Sequence, residues 1–263
     1  NLIADYGVLN QNSNYRVFTL NNPFAESVTS YYHKSIGGYH GAKLKRYQEL
    51  IDFRIAKEAV FIQQNINQLG LSVFEKTPTL NMLNTRYVIL NPGNGPVQNP
   101  FAMGNAWFVS KLKRVKDAND EIVSLSDSSL NLGSIAVVND EFKHIEEIVN
   151  PDLAASIRMT SYAPNQVTYQ SNSTSIQHAI FSEIYYPKGW NCYVNEKLTP
   201  YFRANYVLRG VTIPEGKNKI EWRFEPETYY ESKTISLFSS IFLLLICSFV
   251  FIKAVSYTHL RAH

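Results

Sequence analysis

Thr234-Ile-Ser-Leu-Phe-Ser-Ser-Ile-Phe-Leu-Leu-Leu-Ile-Cys-Ser-Phe-Val-Phe-Ile252 carries no charged residue over nineteen positions. At about 1.5 Å of rise per residue such a helix is about 28 Å long, close to the ~30 Å hydrocarbon thickness of a bilayer. A soluble core helix carries a polar stripe with a period near 3.6, whereas here only Ser236, Ser239, Ser240 and Ser248 interrupt the apolar run. The expectation is one transmembrane helix over 234–253, with the residues before it forming a soluble domain tethered to a membrane.

The flanks set a direction. Lys253 follows the span, and the approach is acidic on balance, with Glu221, Glu225, Glu227 and Glu231 against Arg223 and Lys233. Positive charge stays in the cytoplasm, so the large domain is expected to face outward. Residues 255–263 (Val-Ser-Tyr-Thr-His-Leu-Arg-Ala-His) match no structural pattern and resemble a translated transposase sequencing adapter, so they are set aside as a non-native tail. The chain starts at Asn1 without an initiator Met or a signal peptide, and the expectation is a fragment of a larger membrane protein.

Of the net charge of +3, Lys253 and Arg261 supply two, leaving +1 on the remainder, so charge makes no case for a nucleic-acid partner and none is expected. Aromatic residues make up 13%, which suits β structure and sugar or interface contacts. Cys192 lies in the soluble part and Cys247 in the span, so the two cannot pair. About 230 residues before the span are enough for a substantial core in one or two domains.

Those residues divide by pattern. Over 1–150 two βαβ-like units are expected. In the first, strand Tyr15–Leu20 leads to a long helix over 42–68 with Leu44, Tyr47, Ile51, Ile55, Ala59, Ile62 and Ile66 on one face. Gly70 ends that helix, and a helical turn at 78–83 precedes a strand over 86–90. The loop 91–100 is dense in Asn, Pro and Gly. The second unit has strand 106–115, helix 119–125 and strand 134–138. Over 151–232 short strands at 157–163, 166–171, 177–185, 192–195, 201–213 and 219–224, separated by Pro- and Gly-containing turns, indicate an antiparallel sandwich. The fold class is therefore α+β: an α/β part, an antiparallel β-sandwich and one C-terminal transmembrane helix.

Four stretches carry a family resemblance: Ser30-Tyr-Tyr-His-Lys-Ser-Ile-Gly-Gly-Tyr-His-Gly-Ala-Lys-Leu-Lys-Arg-Tyr-Gln-Glu-Leu50, Met82-Leu-Asn-Thr-Arg-Tyr-Val-Ile89, Phe181-Ser-Glu-Ile-Tyr-Tyr-Pro-Lys-Gly-Trp190 and Asn205-Tyr-Val-Leu-Arg-Gly-Val-Thr-Ile-Pro214. Together they resemble the YfhO family of bacterial multispanning membrane proteins. That family is similar to the GT-C glycosyltransferases, which take a sugar from a polyprenyl-phosphate carrier on the outer face of the membrane. The resemblance implies a parent enzyme of the inner membrane acting on envelope glycans. Its key acid is expected in an early extracytoplasmic loop outside this chain, so the fragment lacks a catalytic residue of its own. The implied partners are the bilayer, a lipid-linked sugar, an envelope glycan and the N-terminal membrane domain. No cofactor is expected in the fragment.

Two groups of residues invite chemistry. At the start of the long helix, Gly37 and Gly38 precede Lys43, Lys45 and Arg46, with Tyr32, His33, Lys34 and His40 beside them. Cations there oppose the helix dipole, so either an anion such as a lipid phosphate sits there or the side chains splay into solvent. Two histidines seven apart, with Glu26 as the one nearby acid, make a poor metal set, and no metal is expected. In the second group Glu183 is expected to pair with Arg203 or Arg209 across the sheet rather than to act as a catalytic carboxylate. Trp190 and Trp222 are expected in the sandwich core. Three functions compete: part of a polyprenyl-linked glycosyltransferase, a carbohydrate-binding envelope module, and a structural ectodomain.

Overall fold

Apolar spacing places the long helix, and packing adjusts it. The computed structural model describes residues 15–91, 93 and 95–260. Helical backbone runs from 45 to 69: α1 is Val28–Tyr32, α2 is Lys45–Leu50, a π-turn covers Ile51–Ile55, and α3 is Ala56–Leu69. The wider turn lets Leu50, Ile51 and Ile55 all bury, as does Ile62 further on. Leu44 stays outside because it is the extended N-cap residue. Gly70 ends α3 at φ 54°, and a 3-10 segment Gly70–Lys76 leads to α4, Pro78–Met82.

The first βαβ unit forms as expected: β1 (Arg16–Thr19) runs parallel to β2 (Thr85–Ile89). The Asn/Pro/Gly loop contributes a short strand, β3 (Val97–Gln98), antiparallel to β2. In the second unit β5 (Lys111–Val115) and β6 (Ile135–Asn139) pair in parallel around α5 (Ala118–Ser124). Asp117 caps α5 by accepting from Asn119 N and Asp120 N at 2.8 and 2.9 Å.

Two expected strands are each divided. The strand over 106–115 breaks at Ser110, where β4 (Ala106–Val109) leaves to pair with β9 (Gln177–Ile184) while β5 joins β6. The strand over 201–213 becomes β12 (Tyr201–Ala204) and β13 (Leu208–Ile213), because Asn205 and Tyr206 at φ 48° and 74° make a tight hairpin turn. Asn195 and Glu196, at φ 50° and 68°, turn β10 (Trp190–Val194) into β11 (Lys197–Leu198) in the same way.

The strands assemble into two larger antiparallel sheets. One has the order β11-β10-β14-β8-β7, with β7 at Ser156–Ala163, β8 at Gln166–Ser173 and β14 at Gly216–Phe224. The other has the order β12-β13-β9-β4. Between them lies a core of Val167, Tyr169, Phe181, Cys192, Val211 and Trp222, while Trp190 sits half-buried at its edge. The far face of the four-stranded sheet offers Ile180, Phe202, Ala204 and Leu208 to a second core, shared with Phe18, Leu50, Ile55, Phe74 and Val137. One sheet thus walls both cores.

The last helix, α6, runs Glu227–Leu260, so residues 255–260 continue it. Its stretch Glu227–Lys253 is long and apolar enough to cross a membrane, and its described side chains are exposed. Ser239 and Ser240 donate their hydroxyls to the carbonyls of Ile235 and Ser236 at 2.8 Å, so these polar groups are satisfied within the helix. Ile241 to Ile246 and Phe249 to Ile252 remain bare. A bilayer is the environment that covers such a surface. Cys247 lies among them and Cys192 in the sandwich core, both as free thiols.

Glu58 is a buried carboxylate within this frame. Its two oxygens accept from Thr79 N and Leu80 N, both at 2.9 Å, and Arg54 lies at 3.7 Å. Burial outweighs these partners and lifts its pKa from 4.5 to about 6. A raised folded-state pKa favours the native state below the unfolded value, and the benefit is lost as pH rises through about 6. Between pH 7 and pH 4.5 Glu58 is therefore expected to add about 2 kcal/mol of stability, since one unit corresponds to ~1.4 kcal/mol. Urea unfolding of the chain in detergent, compared with Glu58→Gln across this window, measures it as the difference between the two pH profiles.

Candidate functional site

Three segments that lie far apart in the sequence converge on one groove of about 280 Å3. Leu44, Lys45, Arg46 and Tyr47 come from the helix start, Ile184, Tyr185, Tyr186 and Pro187 from the end of β9 and beyond, and Arg203, Tyr206 and Val207 from the β12–β13 hairpin. Left-handed positions in hairpin turns favour Asn and Gly, and a tyrosine at φ 74° is strained by about 1–3 kcal/mol. Tyr206 is held there on several sides. Its N–H donates to Glu121 Oε1 at 3.0 Å, its hydroxyl donates to Glu49 Oε2 at 2.5 Å, and the Arg46 guanidinium lies 4.6 Å from its ring centre. The preceding Asn205 is fixed to β6, donating its N–H to Val137 O and accepting from Val137 N, both at 2.8 Å.

Glu121 is the electrostatic centre. Its side chain is fully buried, accepts from Arg46 at 2.8 Å and lies 3.8 Å from Arg203 Nε. Burial raises its pKa, and the two guanidiniums and the Tyr206 N–H oppose that rise. Arg203 also reaches Glu141, and its guanidinium lies 5.6 Å from the Tyr185 ring centre. Lys45 lies 3.8 Å from Glu49 one turn on. Burial, together with the bond to Glu49, raises the Tyr206 pKa to about 12, so it stays a hydroxyl donor. Each arginine, lysine and carboxylate around the groove therefore has an opposite charge at hand, and four tyrosines, Tyr47, Tyr185, Tyr186 and Tyr206, supply its aromatic surface.

The helix-start residues separate. Arg46 turns inward to Glu121 and Lys45 stays at the rim, while Lys43 lies 5.7 Å from the Phe24 ring centre. Gly37 packs so closely on the Pro23 carbonyl that a Cβ would overlap it, and Gly38 N donates to the same oxygen at 2.6 Å, at φ 106°. The glycines thus serve a tight turn. His40 Nδ1 accepts from Ala42 N at 3.0 Å. Tyr32, His33 and Lys34 line a separate open cleft with Arg16, Ser30 and Tyr162, and Lys34 Nζ sits 3.4 Å over the Tyr162 ring.

Glu183 bonds a different arginine from the two expected. A bulge in β9, where Leu208 faces Ile184 but Arg209 already faces Phe181, turns Ser182 and Glu183 away from β13. Both then meet Arg16 of β1, at 2.8 and 2.9 Å. Arg209 instead donates to Ile184 O and lies 4.2 and 5.0 Å from the Trp190 and Trp222 ring centres. Among the described residues no cluster of three His, Cys, Asp or Glu is placed to hold a metal ion.

Glu121, Tyr206 and Arg16 were not singled out from sequence. For Glu121 a signal existed: it shares a helix face with Ala118 and Leu125, and a charge on an apolar face implies a buried partner. Nothing local reveals the turn at Tyr206.

A mixed α+β body, a groove between its parts and one bare apolar helix define a membrane-anchored protein. The chain belongs to the YfhO family: the family model described as Bacterial membrane protein YfhO matches residues 93–236, more than half of it. It is also similar to the uncharacterized protein YfhO of Bacillus subtilis (strain 168), 25% identical over 126 residues. That match covers 48% of this chain and 14% of the relative, so the chain spans a small part of the curated protein's length. No solved structure matches.

Removing the central carboxylate leaves two inward-turned guanidiniums without it. Glu121→Ala is expected to destabilise the chain by about 3–5 kcal/mol, measured by urea unfolding in detergent, whereas surface Asp52→Ala is expected to change it by less than about 0.5 kcal/mol.

Proposed function

We propose that this chain is the extracytoplasmic domain and last membrane helix of a polyprenyl-phosphate-sugar-dependent glycosyltransferase acting on envelope glycans, and that the tyrosine groove seats the acceptor. The carrying observation is convergence: three of the four family-like sequence stretches meet at this one groove. Its chemistry supports a sugar. Tyr185, Tyr186 and Tyr206 offer ring faces and hydroxyls, and the compensated charges leave no strong field to attract an ion. In this reading the protein lies in the bacterial inner membrane with Lys253 on the cytoplasmic side. The catalytic acid and the lipid-linked donor belong to the membrane part of the parent.

A second reading, a glycan-binding ectodomain without catalysis, is favoured by the same charge pairing, because Glu121 is fully buried and the groove offers no free acid. Transfer assays on the full-length parent, with polyprenyl-phosphate sugars as donors, separate the two. Expected is turnover in which Tyr185→Ala raises acceptor KM about tenfold and leaves kcat nearly unchanged, as loss of a ground-state contact does. Glycan binding without turnover selects the second reading. Turnover with unaltered acceptor KM removes the groove from either.

A further inference from the structure

The outer face of the five-stranded sheet carries another concavity, about 490 Å3, which shares no residue with the tyrosine groove. Strand register builds it. Ser156, Asn172 and Lys217 form one cross-strand row over β7, β8 and β14, and Arg158, Gln170 and Lys219 form the next. Because side chains alternate along a strand, both rows point to the same side. Asn195, in the β10–β11 turn, closes one end. It accepts from Lys219 N at 3.0 Å and donates to Asn218 Oδ1 at 2.8 Å, so the wall is fixed before any ligand arrives.

The lining holds three cations and no carboxylate. Lys219 is neutralised by Glu221 at 3.2 Å. Arg158 donates to the neutral Gln170 side chain at 3.1 Å, and among the ion pairs of the described residues neither Arg158 nor Lys217 has one. A concave surface lined by one sign of charge concentrates counter-ions. The two uncompensated cations stand on strands two spacings apart, about 10 Å across the sheet, which suits a ligand with several charges better than one small ion. No aliphatic or aromatic side chain lines the site, so it lacks what a bilayer-inserting surface requires. Its amides and Ser156 match hydroxyl groups instead.

We infer that this face binds an anionic glycan, a polymer whose sugars carry carboxylate or phosphate groups, with Arg158 and Lys217 contacting the charges and Asn172, Gln170 and Asn195 the hydroxyls. The inference goes beyond the acceptor groove, uses other residues and stands whether or not the parent transfers sugar.

The test uses the whole chain in phosphatidylcholine nanodiscs, titrated with polygalacturonate, with neutral dextran and with phosphatidylglycerol vesicles. Expected are polygalacturonate binding that weakens with salt, no dextran binding, and at least a tenfold loss in Arg158→Gln with Lys217→Gln. Lys57→Gln with Lys76→Gln, exposed positions on other elements, is expected to leave affinity unchanged. The charge-retaining pair Arg158→Lys with Lys217→Arg is expected to keep most of the binding, which separates lost charge from lost folding. Absent polygalacturonate binding, equal losses in the two double Gln variants, or an effect confined to phosphatidylglycerol vesicles would overturn the assignment.

Discussion

The four-stranded sheet β12-β13-β9-β4 is buried on both faces, and the arrangement of the soluble part depends on that. Alternate residues of β9 point to different cores: Ala179 and Phe181 pack with Trp222 in the sandwich, while Ile180 packs with the helix-containing layer. At about 25 cal/mol per Å2 of apolar surface, a wall with two covered sides contributes more per residue than a half-solvated sheet. It also restricts what each strand position tolerates. Gly210 lies under the Phe202 ring, where a Cβ would collide, so even the smallest residue in β13 is set by packing across the sheet.

That shared wall explains how the groove arises. Helix start, β9 end and β12–β13 turn all pack at one end of the doubly covered sheet, and their polar groups must be satisfied there. Glu121 does this for Arg46, Arg203 and the Tyr206 backbone together. Single arginine–carboxylate contacts at a surface contribute little, whereas a buried carboxylate with two guanidiniums and a backbone donor fixes geometry. The strained Tyr206 is the conformational cost of this arrangement, and strain retained at a groove is more common in functional than in purely structural positions.

The two concave sites differ in electrostatic character for a reason visible in the topology. The tyrosine groove lies where separate layers meet, so charges from one layer find partners on another. The outer sheet face belongs to one layer, so its charges rely on neighbours within the same sheet. On the free face Glu221 forms its ion pairs with its neighbours Lys219 and Arg223, and among the described residues Arg158 and Lys217 are left without an ion pair.

Sequence alone determined the elements whose signals are local. Nineteen uncharged residues fix a membrane helix, the i, i+3, i+4 apolar spacing fixes the helix over 45–69, and Pro- and Gly-marked turns fix most sandwich strands. Legible for the site were the stretches that carry it and the presence of Arg46 and Arg203, and, outside the groove, Glu183 as an ion-pairing carboxylate. Their partners were not legible, because partner choice depended on a bulge in β9, a break at Ser110 and a left-handed turn at Tyr206. None of these has a local composition signal. Each exists because a sheet covered on both sides has to close its register and satisfy its buried polar groups across distances of up to 167 residues in the chain, as between Arg16 and Glu183. Only the tertiary structure makes that decision.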